Sequence, residues 1–294
     1  MRTRLDCVPC LVRQAVDAAR MASDDPVVHE AVLRRVLREL SVFDLSASAP
    51  AMARRIHRTV RELSGEPDPY RAVKERTNEL ALELLPEVRE RIAVASDPLE
   101  MAVRMAIAGN IIDFGLGQPV ADTTLVETVE RVAGAPLDGD MEAFAREAEA
   151  AGSILFLADN AGEIVLDRLL IERLGPQRVT VAVKGAPILN DALRADAEAA
   201  GLDALVEVVD TGSDAPGTIL ETCSGSFRER FAAADLVIAK GQGNYETLSD
   251  APRPIWFVLM AKCAVIADHM GCEPGSLVLL RRPADGAPVS AGES

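Results

Sequence analysis

Aromatic side chains are scarce in this chain: one Trp, two Tyr and seven Phe make up 3% of its 294 residues. A chain this long buries a sizeable core, so that core rests on Leu, Val, Ile and Ala. Long apolar runs are missing too. No stretch approaches the ~18 consecutive apolar residues of a transmembrane helix, which excludes a helical membrane span. Basic residues fall short of acidic ones, 31 Lys and Arg against 46 Asp and Glu, giving a formal net charge of −15. That deficit argues against nucleic acid as a partner, because phosphate backbones are gripped by clustered Lys and Arg. A small phosphorylated molecule needs only a local positive site. The five Cys are spread over the whole length, which is not a disulfide scaffold. Residues Met1 to Asp6 lead into Cys7 and Pro9 before any long apolar run, so no secretory signal is read there. The expectation is a soluble, cytoplasmic protein.

Two regions of different character follow from the patterning. Up to about residue 150 the chain reads helical. Leu11 to Met21 carries apolar residues at helical spacing, and Asp25-Pro26 and Asp97-Pro98 each offer an N-cap followed by Pro at the first helical position. Gly65 to Pro69 reads as a loop, Asn110–Gly115 ends a helix, and no strand pattern is found. From 151 to 281 short apolar or β-branched runs alternate with helical stretches: Ile154–Ala158, Val179–Val183, Leu205–Val209, Leu236–Ala239 and Ile255–Met260. That rhythm predicts successive strand–helix units and a parallel sheet, an α/β fold. Ser276–Leu280 reads as an added edge strand. The stretch 282–294, rich in Pro, Gly, Ala and Ser, reads as a disordered tail.

In a parallel sheet the strand ends share one edge, and here each end is polar: Asp159-Asn160, Lys184-Gly185, Asp210-Thr211-Gly212, Lys240-Gly241 and Lys262-Cys263. Open α/β sheets bind ligands at that edge. Asp159 and Asn160 supply carboxylate and amide oxygens suited to a hard divalent ion, with Glu163 at the start of the following helix. Asp191, in the next strand–helix unit, can supply a third oxygen. Each of these residues would equally serve as a helix cap. The loop Asp210–Thr218 offers backbone amides and hydroxyls, Thr211 and Gly212 among them, for phosphate oxygens. Lys240-Gly241-Gln242-Gly243-Asn244-Tyr245-Glu246 places a positive charge at a strand end, glycines that admit a ligand near the backbone, and polar groups at the next helix start. Its spacing is not that of a P-loop. Cys7 and Cys10 form a Cys-x-x-Cys pair just before a helix, half of a zinc site, a redox pair or part of a cluster site, which Cys263 and Cys272 would complete, with His57 and His269 as other candidates; two buried, inert thiols are the plain alternative. Cys223 stands alone.

Asp159-Asn160-Ala161-Gly162-Glu163, Gly185-Ala186-Pro187-Ile188-Leu189-Asn190-Asp191 and Lys240–Leu248 together resemble the motifs of the metal-dependent damage-control phosphatases. That family was formerly catalogued as a domain of unknown function and is related to proteins described as protein-glutamate carboxyl methyltransferases. Cys7-Val8-Pro9-Cys10 and Ala106–Gly115 are similar to its prokaryotic stand-alone subgroup, and the likeness covers all but the tail. The resemblance implies a helical N-terminal domain and a Rossmann-like, three-layer α/β domain. It implies a divalent ion (Mn, Co, Ni or Mg) held at Asp159, Asn160 and Asp191, and phosphate recognised at Lys240 with Asn244 nearby. The implied activity is hydrolysis of small phosphorylated metabolites, damaged ones among them. Glu163, Thr211, Gly212, Gly241 and Glu246 complete the expected substrate site. Asp159 as a covalent nucleophile ranks lower, since it would leave the ion short of a ligand. Two other classes stand beside this reading. An S-adenosylmethionine-dependent methyltransferase suits the fold, but the turn after the first strand has a single Gly, and Lys184 stands where an acidic ribose anchor is needed. A non-enzymatic metal or iron–sulfur protein would be built on Cys7 and Cys10.

Overall fold

The computed structural model of the protein describes residues 1–111 and 122–283. Of the helix stop read at Asn110–Gly115 the part from residue 112 on lies outside them, as does the tail from residue 284 on. The elements run α1 (Cys7–Ala22), α2 (Pro26–Ser41), α3 (Ala49–Ser64), α4 (Arg71–Val94), α5 (Pro98–Ile111), α6 (Asp122–Gly134), β1 (Leu137–Gly139), α7 (Met141–Ala150), β2 (Ile154–Leu157), α8 (Glu163–Leu174), β3 (Val179–Val183), α9 (Arg194–Ala199), β4 (Glu207–Asp210), α10 (Gly225–Ala233), β5 (Leu236–Lys240), α11 (Gly241–Leu248), β6 (Ile255–Met260), α12 (Ala264–Met270) and β7 (Leu277–Arg282). Local chemistry sets the early boundaries. Asp25 Oδ1 accepts from the Val27 amide at 2.8 Å, and Asp97 Oδ1 from those of Leu99 and Glu100 at 2.9 and 3.0 Å, so both predicted Asp-Pro starts are real caps. α3 stops where Gly65 turns left-handed.

The strands form one seven-stranded sheet in the order β1-β7-β6-β5-β2-β3-β4. β4, β3, β2, β5 and β6 are parallel neighbours, the Rossmann order; β7 runs antiparallel to β6 and parallel to β1. Two details differ from the sequence reading. β7 is not the edge, because β1 covers it, and β1 itself arises before residue 150, where only helix was read. Three residues with an exposed Asp138 and a Gly at position 139 carry no alternating signal; β1 is made by its pairing with β7.

Alternate strand residues face opposite layers. Phe156, Val181, Ile238, Trp256 and Val258 join the core beneath α4, α5, α6, α7, α8 and α9, whereas Leu157, Ala182, Val237, Phe257 and Leu259 join the core beneath α10, α11 and α12. A third core, with Ala15, Val32, Val36, Met52, Ile56 and Tyr70, holds α1, α2 and α3 together. Leu189, in a loop after β3, packs against it. A further fastening is ionic: Arg54, Arg58 and Arg61 of α3 all pair with Asp214 in the loop after β4, at 2.6, 2.7 and 2.8 Å. Among the described residues no helix is long and apolar enough to cross a membrane.

The chain passes from β2 to β3 and β4, then returns to the other side of β2 for β5 and β6. The sheet's switch point therefore lies between β2 and β5, where Asp159 follows one strand and Gly241 the other. On one face of this crevice α5 presses on α8 at Gly109, where an added Cβ would stand 3.1 Å from the Glu163 Cα. Gly109→Val forces those helices apart and is expected to cost about 1–3 kcal/mol, an overpacking penalty. Urea unfolding measures it; an unchanged midpoint would refute the close approach.

Candidate functional site

Backbone pairing brings the first two strand–helix junctions together. Beyond β2 the Asp159 carbonyl accepts from the Ala192 amide at 2.8 Å, and the Ala161 amide donates to the Asn190 carbonyl at 2.9 Å, so Asn160 and Asp191 form a short antiparallel bridge. Asn78 of α4 buttresses the turn: its Oδ1 accepts from the Gly162 amide at 2.7 Å and its Nδ2 donates to Asp196 at 2.8 Å. Neither junction uses its acid as a cap. Gly162 precedes α8 without a side-chain cap, and α9 is capped by Asp196, whose Oδ2 accepts from the Leu193 amide at 2.8 Å. Pro187 opens no helix. The capping alternative thus falls for Asp159, Asn160 and Asp191, and all three line one cavity of about 570 Å³. α1 and α3 close it from the opposite side, through residues that include Cys7, Gln14 and Ala53.

The charge in this corner is unbalanced. Burial pushes the Asp159 carboxyl well above its ordinary value; the charges of Glu163 and Asp191 push it further, and Lys184 and Lys262 offset part of the effect. Burial raises Asp191 to about 6 against the opposing pull of Lys184. Its Oδ2 pairs with Lys184 Nζ at 3.4 Å, a long contact that leaves this buried oxygen without a well-formed hydrogen bond. Lys184 spends a hydrogen bond of 2.5 Å on the Gly217 carbonyl instead. The Asn160 amide donates to Asp159 Oδ2 at 2.9 Å and Glu163 Oε2 at 3.0 Å, which leaves its oxygen on the other end. Two buried carboxylates with raised proton affinity and an amide oxygen are a donor set that fits a hard divalent cation. Among the described residues no group of three or more His, Cys, Asp or Glu is arranged to hold an ion, so the candidate set depends on the Asn160 amide.

Lys240 does not play the part expected of it. Its ammonium is fully buried and donates to Glu163 Oε1 at 2.6 Å, Asp167 Oδ1 at 2.6 Å and the Ala106 carbonyl at 2.9 Å, which uses all three of its protons. Burial opposes its charge, but Asp167 and Glu163 more than offset that, and its proton is held above the usual lysine range. Burial also lifts Asp167 to about 7. Glu163 is consumed by this cluster and by Asn160, so it positions Asn160 rather than touching a ligand. Asn244 is likewise spent: it donates to the Lys240 carbonyl at 2.8 Å and accepts from the Thr218 hydroxyl at 2.7 Å. Gly241 has φ +76°, and an added Cβ would stand 1.8 Å from Asp159 Oδ2; the glycine makes room for the carboxylate, not for substrate. Thr211 and Gly212 do not line the cavity, and their backbone amides are taken up within the protein. The Thr211 amide donates to Val183, the Gly212 amide to Asp210, and the Ser213 amide to the Thr211 hydroxyl. Glu246, Cys7, Cys10 and Cys263 do line the cavity. Burial raises Glu246 to about 7. His57 is buried edge-on to Tyr70, and His269 bonds to the Tyr245 hydroxyl; neither belongs to the site. Cys223 is buried against the Ile219 carbonyl.

Lys262 is the cation that the motif reading passed over. It lines the cavity from the β6–α12 junction and lies within electrostatic reach of Asp159. The available signal was its place at a strand end, the same signal that drew attention to Lys240. Gln14, Asn190 and Gln242 also line the cavity, and the Oε1 atoms of Gln14 and Gln242 are buried without a hydrogen-bond partner.

Comparison with known proteins places this geometry. A model of the damage-control phosphatase ARMT1-like domain matches residues 3–278. A protein of Methanocaldococcus jannaschii, named only as uncharacterised, is 36% identical over 96% of both chains. A damage-control phosphatase of Archaeoglobus fulgidus is 34% identical over 92% of this chain and 96% of its own. The crystal structure of a DUF89 family protein from Pyrococcus horikoshii superimposes with a TM-score of 0.87 at 31% identity, covering 96% of this chain and 99% of the other.

Lys240→Met leaves Glu163 and Asp167 buried without their cation, and a loss of about 3–5 kcal/mol in urea unfolding is expected; a purely kinetic defect would restore Lys240 to the substrate. Asp191 has the opposite sign. Its folded pKa of about 6 lies above the ~3.9 of an unfolded Asp, so the metal-free protein loses stability as pH rises from about 4 to 6 and does not regain it above. Asp191→Asn therefore stabilises the metal-free protein at pH 7–8, by up to about 2 kcal/mol, and has little effect near pH 4. Thermal unfolding across that range decides it.

Proposed function

Because the chain belongs to the damage-control phosphatase ARMT1-like family, we propose that it is a divalent-metal-dependent phosphatase acting on small phosphorylated metabolites. The observation that supports this most is the convergence of Asp159, Asn160 and Asp191 on one cavity with a buried carboxylate oxygen left without a well-formed hydrogen bond. Those three residues would hold the ion, be it Mn, Co, Ni or Mg, and the ion when bound supplies Lewis-acid stabilisation of the phosphoryl oxygens. Asn160 is oriented for this by Glu163, which in turn is anchored by Lys240. Lys262 brings the positive charge that a phosphate monoester needs and that an acidic corner otherwise denies it. Gln14, Gln242 and Glu246 offer hydrogen-bonding groups to the remainder of the ester. A cavity of about 570 Å³ suits a metabolite rather than a polymer. The methyltransferase alternative gains nothing: the Gly162 amide is bonded to Asn78, and Lys184, at the position of a ribose anchor, is committed to Asp191 and Gly217.

The decisive experiment is a screen of sugar phosphates, nucleotides and phosphorylated cofactors against the purified protein with a panel of divalent ions. Metal-stimulated release of phosphate is expected. Asp159→Ala should lower kcat at least ~10³-fold, and Lys262→Met should raise KM about tenfold, both with folding retained. Undiminished hydrolysis in Asp159→Ala would sink the assignment.

A further inference from the structure

The phosphatase reading leaves Cys7 and Cys10 without a task, although both line the same cavity. They occupy the first turn of α1, three residues apart, and are free thiols. Cys10 is exposed, with its sulfur 3.9 Å from the Asp6 carbonyl; Cys7 is partly buried and lies within electrostatic reach of Cys10 and Cys263. The start of α1 is fixed to the sheet side of the cavity. The Met1 ammonium donates to the Glu246 carbonyl at 2.7 Å, and Arg4 pairs with Asp268 at 3.6 Å. The thiols are therefore held at the entrance rather than hanging from a loose end.

Residues i and i+3 of a helix have Cα atoms about 5 Å apart, inside the ~4.4–6.8 Å window of a disulfide, and a small adjustment of the first turn brings the Cβ atoms into range. No comparable arrangement favours an ion here, since no three Cys, His, Asp or Glu side chains among the described residues are placed to hold one. We propose that Cys7 and Cys10 form a reversible thiol–disulfide modification site at the cavity entrance, oxidised by a low-molecular-weight disulfide, and that the oxidised pair hinders entry of the substrate. The consequence for entry rests on the phosphatase reading; the site itself does not.

The exposed Cys10 reacts first. Its thiol loses a proton, attacks one sulfur of the small disulfide and expels one small thiol, leaving a mixed disulfide. Cys7, partly buried and three residues away on the same turn, takes the second step, in which its thiol loses its proton before attack. There it attacks the Cys10 sulfur, expels the second small thiol and closes the Cys7–Cys10 bond. Two protein thiols are oxidised, one small disulfide is reduced to two thiols, and the protein loses two hydrogens.

The test incubates the full-length protein with graded ratios of oxidised to reduced glutathione and maps the products by mass spectrometry. A Cys7–Cys10 link reversed by dithiothreitol is expected, formed equally in Cys263→Ser, and Cys7→Ser should accumulate glutathione on Cys10. Absence of oxidation, a link through Cys263, or an unmodified Cys10 in Cys7→Ser overturns the site. With manganese and p-nitrophenyl phosphate, oxidation should raise KM about threefold or more and leave kcat within about twofold, an effect abolished in Cys10→Ser; an unchanged KM overturns the effect on entry. If the reduced protein hydrolyses nothing under any ion, the phosphatase reading fails and the mapping alone judges the thiol site.

Discussion

Lys240 carries a full positive charge into the interior, where Glu163, Asp167 and the Ala106 carbonyl are its partners. Taking the ammonium and its acidic partners out of water is costly, and their mutual attraction is what makes the arrangement tolerable. The cluster joins α5, α8 and β5 at one point. From there the order passes outward: Glu163 holds the Asn160 amide, and Asn160 holds Asp159. Gly241, the residue after Lys240, gives up its side-chain volume to the Asp159 carboxylate. The switch point of the sheet is thus organised from beneath, by groups that do not line the cavity.

That layering explains what was legible in the sequence. The strand rhythm from 154 to 260 was plain, because strands buried on both faces leave continuous apolar runs. Asp159, Asn160 and Asp191 stood out as polar residues directly after such runs, and they do share a cavity. Lys240 and Lys262 carried the same signal with opposite outcomes. A strand-end lysine is read identically whether its ammonium turns inward or outward, and the partners that decide, Glu163 and Asp167, lie more than 70 residues earlier. Glycines misled in a related way. Gly185 lies against the backbone of Gly212, and Gly217 against that of Gly243, so close that side chains would collide. Turn composition alone does not separate backbone packed on backbone from backbone packed on phosphate. Asn78, which fastens the turn from α4, had no local signature at all.

The acidic corner is built against its own stability. Asp159 and Asp191 are buried together, and burial raises the proton affinity of both in spite of the lysines nearby. Under the metal-dependent reading proposed above, a bound cation would offset that cost and so stabilise the folded protein. The neighbouring wall of amides asks for a different kind of complement. Gln14 and Gln242 leave carbonyl oxygens unbonded there, which hydroxyl or amine hydrogens would satisfy.

The helices over the cavity have their own apolar core, yet three arginines of one helix face grip the Asp214 carboxylate, which they hold well below the usual range. Arg61 also donates to the Pro187 carbonyl at 2.8 Å, in the loop that carries Asp191. Counterions reach this fastening through its partly exposed guanidiniums, although the carboxylate they share is buried, whereas they do not reach the greasy interiors on either side of it. Ionic strength therefore acts on this molecule as a selective solvent for one seam, loosening the roof over the acids while both halves stay folded.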